Sequence, residues 1–206
     1  MTEKINPQLM RRAARHLRRC DPLLGALIQK VGPCRIEVRG DPYRELIRSI
    51  VYQQLAGAAA GAILGRLKRR FQGRIPKPDT LLATDAAYLR SDGLSRQKIA
   101  AVYAVAEAFA NGSLSNRRLY RMDAASVVAA VTEVKGIGEW TAHMLLMFSL
   151  GRPDILPVGD YGVRQGARIL YDLEDLPDRK TLQTLTERWR PYRSIGSWYL
   201  WRATEQ

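Results

Sequence analysis

The residues best suited to chemistry begin with a short turn, Lys135-Gly136-Ile137-Gly138. It stands between two helical patterns, the first after an N-cap at Asp123 and the second running from near Gly138 to Gly151. Two glycines permit positive φ and a close approach of the backbone to a partner. The second helix points free N–H groups and its positive dipole end toward the turn. We therefore predict an anion site suited to a DNA phosphate.

The tetrapeptide also fits an ordinary corner between two helices, so both interpretations stay open. In either case Ile137 is the apolar side chain expected to lock the two helices together. Glu139 suits the dipole at the start of the second helix but places a negative charge beside the anion site.

A carboxylate closes a second candidate segment, Leu156-Pro157-Val158-Gly159-Asp160. Asp160 stands where a loop enters a predicted helix, and an aspartate there can cap the helix through its side chain. A carboxylate can also stabilise a developing positive charge or orient a water molecule. The two roles are compatible.

Aromatic side chains lie near both segments. Trp140 follows the glycine turn, and Met144 comes one helical turn later. An indole there either packs in the core or offers a face on which an electron-poor base can stack. Trp198 and Trp201 share one face of the last predicted helix and could simply dock it. We expect Trp189 and Trp198 to pack.

The 206 residues include 33 basic and 20 acidic side chains, a net charge of +13 that indicates a polyanionic partner. No apolar run approaches the ~18 residues of a membrane-spanning helix. Cys20 and Cys34 are too few for a cysteine-built zinc or iron–sulfur site. We expect reduced thiols in an intracellular protein, with a disulfide between the two cysteines as the alternative.

Helices must position these residues, and periodicity is helical nearly throughout, with residues 35–39 as a short extended exception. Asp21-Pro22 and Asp41-Pro42 each place an N-cap before a proline in the first helical turn. The second of these helices should bury Leu46, Ile47, Ile50 and Val51. Further helices are predicted over residues 58–71, 78–83, 86–90, 96–110, 160–171, 179–188 and 194–201.

Taken together, the hairpin, Asp160 after Leu-Pro-x-Gly, the Gln-Gln stretch Ile50–Gly57 and the segment Trp189–Ser194 resemble the helix–hairpin–helix DNA glycosylase superfamily. They are most similar to its alkylation-repair branch, the 3-methyladenine DNA glycosylase II type. The Leu55-Ala56-Gly57 piece departs from that branch, where a serine is expected.

The resemblance implies an all-α fold with two helical lobes, a helix–hairpin–helix and an active-site cleft between the lobes. One lobe is expected over residues 45–155, with the hairpin at 134–140, and the other over 1–44 plus 156–206. Together they would form a single compact glycosylase unit over 1–206.

The resemblance makes Asp160 the catalytic carboxylate, which would stabilise an oxocarbenium-like sugar and help place the attacking water. Trp140, Met144 and Trp201 would form the base pocket. Lyase branches of the superfamily carry a Schiff-base lysine at the position of Trp140, and an indole cannot replace it. The resemblance therefore implies a monofunctional hydrolase.

The target nucleotide of such an enzyme must leave the duplex. By resemblance, Leu55 fills the gap, while Gln53 or Gln54 bonds the orphaned base. The alternative for all three is a solvated helix end. Lys135 and the hairpin amides would bind phosphate. No cofactor is expected, apart from a possible Na⁺ or K⁺ held by backbone carbonyls of the hairpin.

The resulting prediction is a monomer that excises alkylated purines, of the 3-methyladenine and 7-methylguanine type, from damaged double-stranded DNA. It would act in the cytoplasm of a bacterium or in a eukaryotic nucleus, without membrane association. Two alternatives remain. One is a non-catalytic helix–hairpin–helix module that binds DNA, and the other is a glycosylase for deaminated or oxidised bases.

Overall fold

The structure is a computed structural model that describes residues 3–55 and 57–205, so Ala56 of the Leu55-Ala56-Gly57 piece lies outside the described residues. Every regular element in these ranges is helical, which confirms the predicted fold class. Residues 35–39 form no strand. No described helix is long and apolar enough to cross a membrane.

The α-helices run in chain order as α1 Pro7–Cys20, α2 Pro22–Val31, α3 Pro42–Tyr52, α4 Gly57–Arg70, α5 Pro78–Leu82, α6 Ala86–Ser91, α7 Arg96–Ala110, α8 Asn116–Arg121, α9 Ala124–Thr132, α10 Glu139–Phe148, α11 Tyr161–Leu170, α12 Arg179–Thr186 and α13 Arg193–Ala203. A 3₁₀ turn, Glu187–Trp189, follows α12.

The predicted N-caps are confirmed. Asp21, Asp41 and Asp123 accept the backbone N–H three residues on, at 3.1, 3.2 and 2.8 Å respectively. Each bond satisfies one of the N–H groups that the first helical turn leaves without an internal partner.

One predicted helix end is corrected, and one helix was not predicted. Helix α10 ends at Phe148 instead of reaching Gly151, and the chain then turns. Helix α8 was not predicted; the cap at Ser115 marks its start, and Leu119 is its buried residue.

The chain forms two compact units. The first unit contains the chain up to Val38 and from Leu146 onward, and the second unit is Arg39–Leu145. The approximate boundaries expected from the sequence were 45 and 155. The observed ones place the whole of α3, with its Asp41 cap, in the second unit.

The core of the first unit is built around a buried aspartate. Helices α1, α2, α11 and α13 pack together there, and Trp189 is fully buried as predicted. Asp21 Oδ2 accepts hydrogen bonds from Trp189 Nε1 at 2.8 Å and from the Tyr171 hydroxyl at 2.5 Å. The other oxygen caps α2. A buried carboxylate tolerates this apolar setting because donors surround it.

The second unit has its core around α3, which packs against α4 and α7. Leu46, Ile47, Ile50 and Val51 are all fully buried, as the helical pattern predicts. The packing against α7 leaves the C-terminal end of α3 beside the start of α7, where Lys98 Nζ donates to Val51 O at 2.7 Å.

Candidate active site and DNA-binding elements

In the first unit, Asp160 caps α11 and contacts an indole through the same oxygen. Asp160 Oδ1 accepts from Val163 N at 2.8 Å and from Trp201 Nε1 at 2.9 Å. The residue is 9% exposed. An ionised carboxylate only accepts hydrogen bonds, so two N–H donors suit it. The capping and catalytic interpretations of Asp160 are therefore structurally compatible.

Trp201 is half-buried and has an aromatic neighbour. Its ring stacks on that of Phe148, with centroids 5.8 Å apart and planes inclined by 26°. The indole thus joins an aromatic surface to the carboxylate of Asp160. Trp198 on the same helix instead packs edge-on against Tyr199 at 5.0 Å.

Two glycines allow this contact, and the sequence reasoning missed them. A Cβ on Gly162 would lie 2.8 Å from Trp201 Cδ1 and 3.2 Å from Asp160 Oδ1. A Cβ on Gly166 would lie 2.1 Å from the backbone oxygen of Leu200. The sequence did hold one signal for them: Gly162 and Gly166 are four residues apart, which places both on one face of α11.

The loop that leads to Asp160 is tied to the start of α13 by a carboxylate–guanidinium pair. Arg193 Nε donates to Asp154 Oδ1 at 2.7 Å, and its Nη2 donates to Oδ2 at 3.0 Å. Arg190 adds a contact at 2.9 Å. Burial raises the pKa of Asp154, but the hydrogen bonds and charge of Arg193, with the charge of Arg190, outweigh it and lower the pKa below its ordinary value.

Ser194 holds the same loop through its hydroxyl. The hydroxyl donates to Arg152 O at 2.7 Å and accepts from Ile155 N at 2.9 Å. The first turn of α13 therefore holds the loop in place, and Trp201, near the end of the same helix, contacts Asp160. The segment Trp189–Ser194 and the carboxylate loop, which are part of the same sequence resemblance, are therefore in contact in the structure.

In the second unit, the glycine turn forms a tight hairpin between α9 and α10. Gly136 has φ 85°, and a Cβ there would lie 2.5 Å from Ala101 Cβ of α7. Glycine is therefore required at this position by conformation and by space. Ile137 is buried, which agrees with the predicted locking role.

Of the two glycines that permit a positive φ, Gly136 adopts one and Gly138 does not. It is exposed, and open space surrounds the position where a Cβ would stand. Gly138 therefore leaves the backbone at the start of α10 accessible, and its own backbone conformation is not unusual. Lys135 is also exposed, while Glu139 Oε1 lies 3.9 Å from His143 Nε2.

The predicted wedge follows α3 in the second unit. Leu55 is 39% exposed, so its apolar side chain is accessible at the surface. Gln54 is exposed and adopts φ 55°, a left-handed conformation that few non-glycine residues take. Gln53, in contrast, bonds to the hairpin, with Nε2 donating to Gly136 O at 3.1 Å and to Thr141 Oγ1 at 2.9 Å.

Trp140 and Met144 lie one turn apart on α10, the first half-buried and the second buried. Helix α10 thus carries Trp140 beside Thr141, the acceptor for Gln53. Their roles in a base pocket remain predictions.

The predicted Na⁺ or K⁺ would be held by backbone carbonyls of the hairpin. Val134 O accepts from Ile137 N at 3.0 Å, and Gly136 O accepts from Gln53. A carbonyl oxygen has two lone pairs, so one such bond does not prevent it from holding a cation. The cation stays a prediction. In the described part of the chain, no group of three or more His, Cys, Asp or Glu residues is arranged to hold a metal ion.

The structure brings the predicted residues together in two groups, each within one unit. Asp160 and Trp201 meet in the first unit, and the wedge segment meets the hairpin in the second. Sequence reasoning missed Thr141, Asp154 and the two glycines of α11, because each acts through a partner distant in sequence.

The capped carboxylate loop beside an indole and the glycine hairpin between two helices are the features by which this chain resembles the helix–hairpin–helix DNA glycosylases. The HhH-GPD superfamily of base excision DNA repair proteins matches residues 47–191. The chain belongs to that superfamily.

Several members are similar over nearly the whole chain. DNA-3-methyladenine glycosylase 1 of Schizosaccharomyces pombe is 34% identical over 195 residues, covering 92% of this chain and 86% of that protein. The S. pombe 3-methyladenine DNA glycosylase solved with abasic DNA superposes with TM-score 0.90 at 34% identity, covering 95% and 97% of the two chains. A DNA-3-methyladenine glycosidase from Bacillus halodurans gives TM-score 0.76 at 36% identity, covering 93% and 88%.

Proposed function

We propose that this protein is a monofunctional DNA glycosylase that releases alkylated purines from double-stranded DNA. The observation that carries the proposal is Asp160, held at one oxygen by the N-terminus of α11 and by Trp201. The names of its relatives support the substrate class, since those proteins are called 3-methyladenine glycosylases.

In the proposed reaction, the bond between the sugar and the damaged base breaks and the sugar gains positive charge. The carboxylate of Asp160 stabilises that charge and helps position the water that attacks the anomeric carbon. Its two N–H donors fix the carboxylate before the reaction, so little reorganisation is needed when charge develops. A purine alkylated at a ring nitrogen is cationic in the nucleotide and leaves readily, so a strong general acid is not required.

The second unit would bind and deform the DNA. The hairpin amides and Lys135 would bind a backbone phosphate, and Leu55 would fill the space left by the extruded nucleotide. Trp140 would offer its face to the cationic base. Extruding a base costs a few kcal/mol, which an apolar side chain filling the gap offsets in part.

The test is release of free bases from methylated duplex DNA by the wild type and by Asp160→Asn. Asparagine keeps the cap on α11, so the fold should survive. We expect base release to fall by about 10²–10⁴-fold, the range for loss of one electrostatic or acid–base group. Asp178→Asn is the matched control, because Asp178 caps α12 by a 2.7 Å bond from Thr181 N. If Asp160→Asn and Asp178→Asn released free base at the same rate, Asp160 would not be the catalytic carboxylate.

Three further measurements separate the alternatives. Borohydride should trap no covalent complex with DNA, because the indole of Trp140 cannot form a Schiff base. Chromatography of bases freed from methylated, deaminated and oxidised DNA would identify the lesion class. Salt-sensitive DNA binding without any base release would favour the non-catalytic module.

A further inference from the structure

The end of α3 and the hairpin are joined by one side chain. Gln53 Nε2 donates to Gly136 O in the hairpin and to Thr141 Oγ1 in the first turn of α10. The side-chain amide has two N–H donors, and these two bonds use both. Thr141 is 1% exposed, so its contact with Gln53 is shielded from water.

Helix α7 supports both sides of this junction. Lys98 donates to Val51 O, one of the last carbonyls of α3, and burial lowers the pKa of the Lys98 ammonium. Three residues further along α7, Ala101 lies against Gly136, where a Cβ would approach to 2.5 Å. The C-terminal end of α3, the hairpin and α7 therefore contact one another, and Gln53 is the side chain that crosses from α3 to the hairpin.

This geometry distinguishes two adjacent glutamines. Gln53 points its amide at the hairpin, whereas Gln54 is exposed in a left-handed conformation immediately before Leu55. A residue whose N–H donors are committed to the protein is poorly placed to read a base in the DNA. Of the two glutamines that the resemblance offered for the orphaned base, the structure favours Gln54.

We infer that Gln53 is a positioning residue that couples the phosphate-binding hairpin to the Gln54-Leu55 wedge. Binding of a phosphate at the hairpin then fixes the position from which Leu55 enters the duplex. The inference rests on the proposed function, since it assigns both elements to DNA. The hairpin and the wedge then act as one body, with Thr141 as the buried acceptor for Gln53.

The experiment compares two substrates that differ only in the need for a wedge. One duplex carries the alkylated purine paired with its complement, and the other carries it in a single-nucleotide bulge that is already unstacked. We expect Gln53→Glu, which keeps the shape but removes both donors, to slow single-turnover base release about 10-fold on the paired substrate. On the bulged substrate the rate should stay within about 2-fold of wild type.

Thr141 supplies the second pair of variants. Thr141→Val removes the hydroxyl at nearly constant volume and should reproduce the paired-substrate defect. Thr141→Ser keeps an acceptor for Gln53 and should restore most of the rate. Thermal unfolding of each variant, and its affinity for undamaged duplex, separate this effect from general loss of structure.

The outcomes are distinct. A rate loss of equal size on both substrates, or no loss on either, would overturn the coupling role. Failure of the wild type to release base from either substrate would instead refute the proposed function. Should Gln53→Glu fail to fold, the comparison of Thr141→Val with Thr141→Ser decides the question alone.

Discussion

Asp160 has a structural and a candidate chemical role at a single oxygen atom. The hydrogen bond that Asp160 accepts from Val163 N orients the carboxylate relative to α11, and the bond from Trp201 fixes it from the side of α13. The cap depends only on residues within one turn, but the indole contact depends on the packing of two helices. Replacing Trp201 therefore tests the contact between the two helices without removing the cap on α11.

Trp201→Phe should lower base release by about 10-fold while the protein stays folded. Phenylalanine keeps an aromatic ring near Phe148 but loses the N–H that bonds Asp160, and a hydrogen bond to a charged group contributes roughly 1.5–3 kcal/mol. The measurement is the single-turnover rate of base release from methylated duplex DNA.

Trp198→Phe is the control for that change, because Trp198 lies on the same helix and contacts Tyr199 instead of Asp160. An identical effect of the two substitutions would mean that the indole N–H of Trp201 has no special part in the reaction.

At the scale of elements, the approach of α11 to α13 determines whether Trp201 reaches Asp160. Gly166 stands where a side chain would collide with the Leu200 backbone, which cannot rotate away as a side chain can. One turn earlier, Gly162 leaves room for the indole. The contact between Trp201 and Asp160 therefore depends on two residues that carry no functional group.

Gly166→Ala should destabilise the protein by about 3 kcal/mol, the upper range for overpacking a core contact. Its Cβ would lie 2.1 Å from Leu200 O, so the helices must separate. Gly65→Ala in α4 is the control: its Cβ meets only the end of the Arg69 side chain at 3.6 Å, and alanine favours a helix by ~1 kcal/mol. Urea unfolding of both variants checks the prediction, and an unchanged stability of Gly166→Ala would contradict the packing.

The pair of Asp154 and Arg193 predicts a pH dependence of stability. Because the pKa of Asp154 is lowered in the folded state, the pair stabilises the protein fully above the ordinary value of 3.8. That contribution is lost as pH falls through the lower, folded-state pKa.

Asp154→Asn should therefore reduce the free energy of unfolding at neutral pH, and the deficit relative to wild type should shrink below about pH 4. Thermal unfolding between pH 2 and 7 measures it. A deficit that stays constant down to the lowest pH would show that ionisation of Asp154 is not the cause.

At the scale of the whole molecule, the net charge of +13 sets how the protein finds DNA. Affinity for duplex DNA should fall with salt with a slope of about −0.9 for each phosphate contacted, in a plot of log K against log salt concentration. Lys135→Ala should make that slope shallower by about 1, since the phosphate contact proposed for Lys135 would be lost.

Fluorescence anisotropy with undamaged duplex measures this slope, and Lys180→Ala on α12 is the control for loss of one exposed charge. If Lys135→Ala left the slope unaltered, the hairpin lysine would not be a phosphate ligand.

Features that depend on residues close together in the sequence were predictable. The caps at Asp21, Asp41 and Asp123 were predicted because a cap and the N–H that it binds are three residues apart. Leu46, Ile47, Ile50 and Val51 were predicted to be buried because their spacing places them on one helical face. The hairpin was recognised as a turn, but the different conformations of Gly136 and Gly138 were not, since both are the same residue type in the same short segment.

The sequence by itself therefore determined the helical class, the starts of the principal helices, the hairpin and the position of Asp160 at a helix entrance. All of these depend on interactions within a few residues. Only the tertiary structure decided that Trp201 contacts Asp160 across 41 positions and that Gln53 contacts Thr141 across 88. Such contacts depend on how closely helices pack, and the bulk of every side chain in the interface sets that distance.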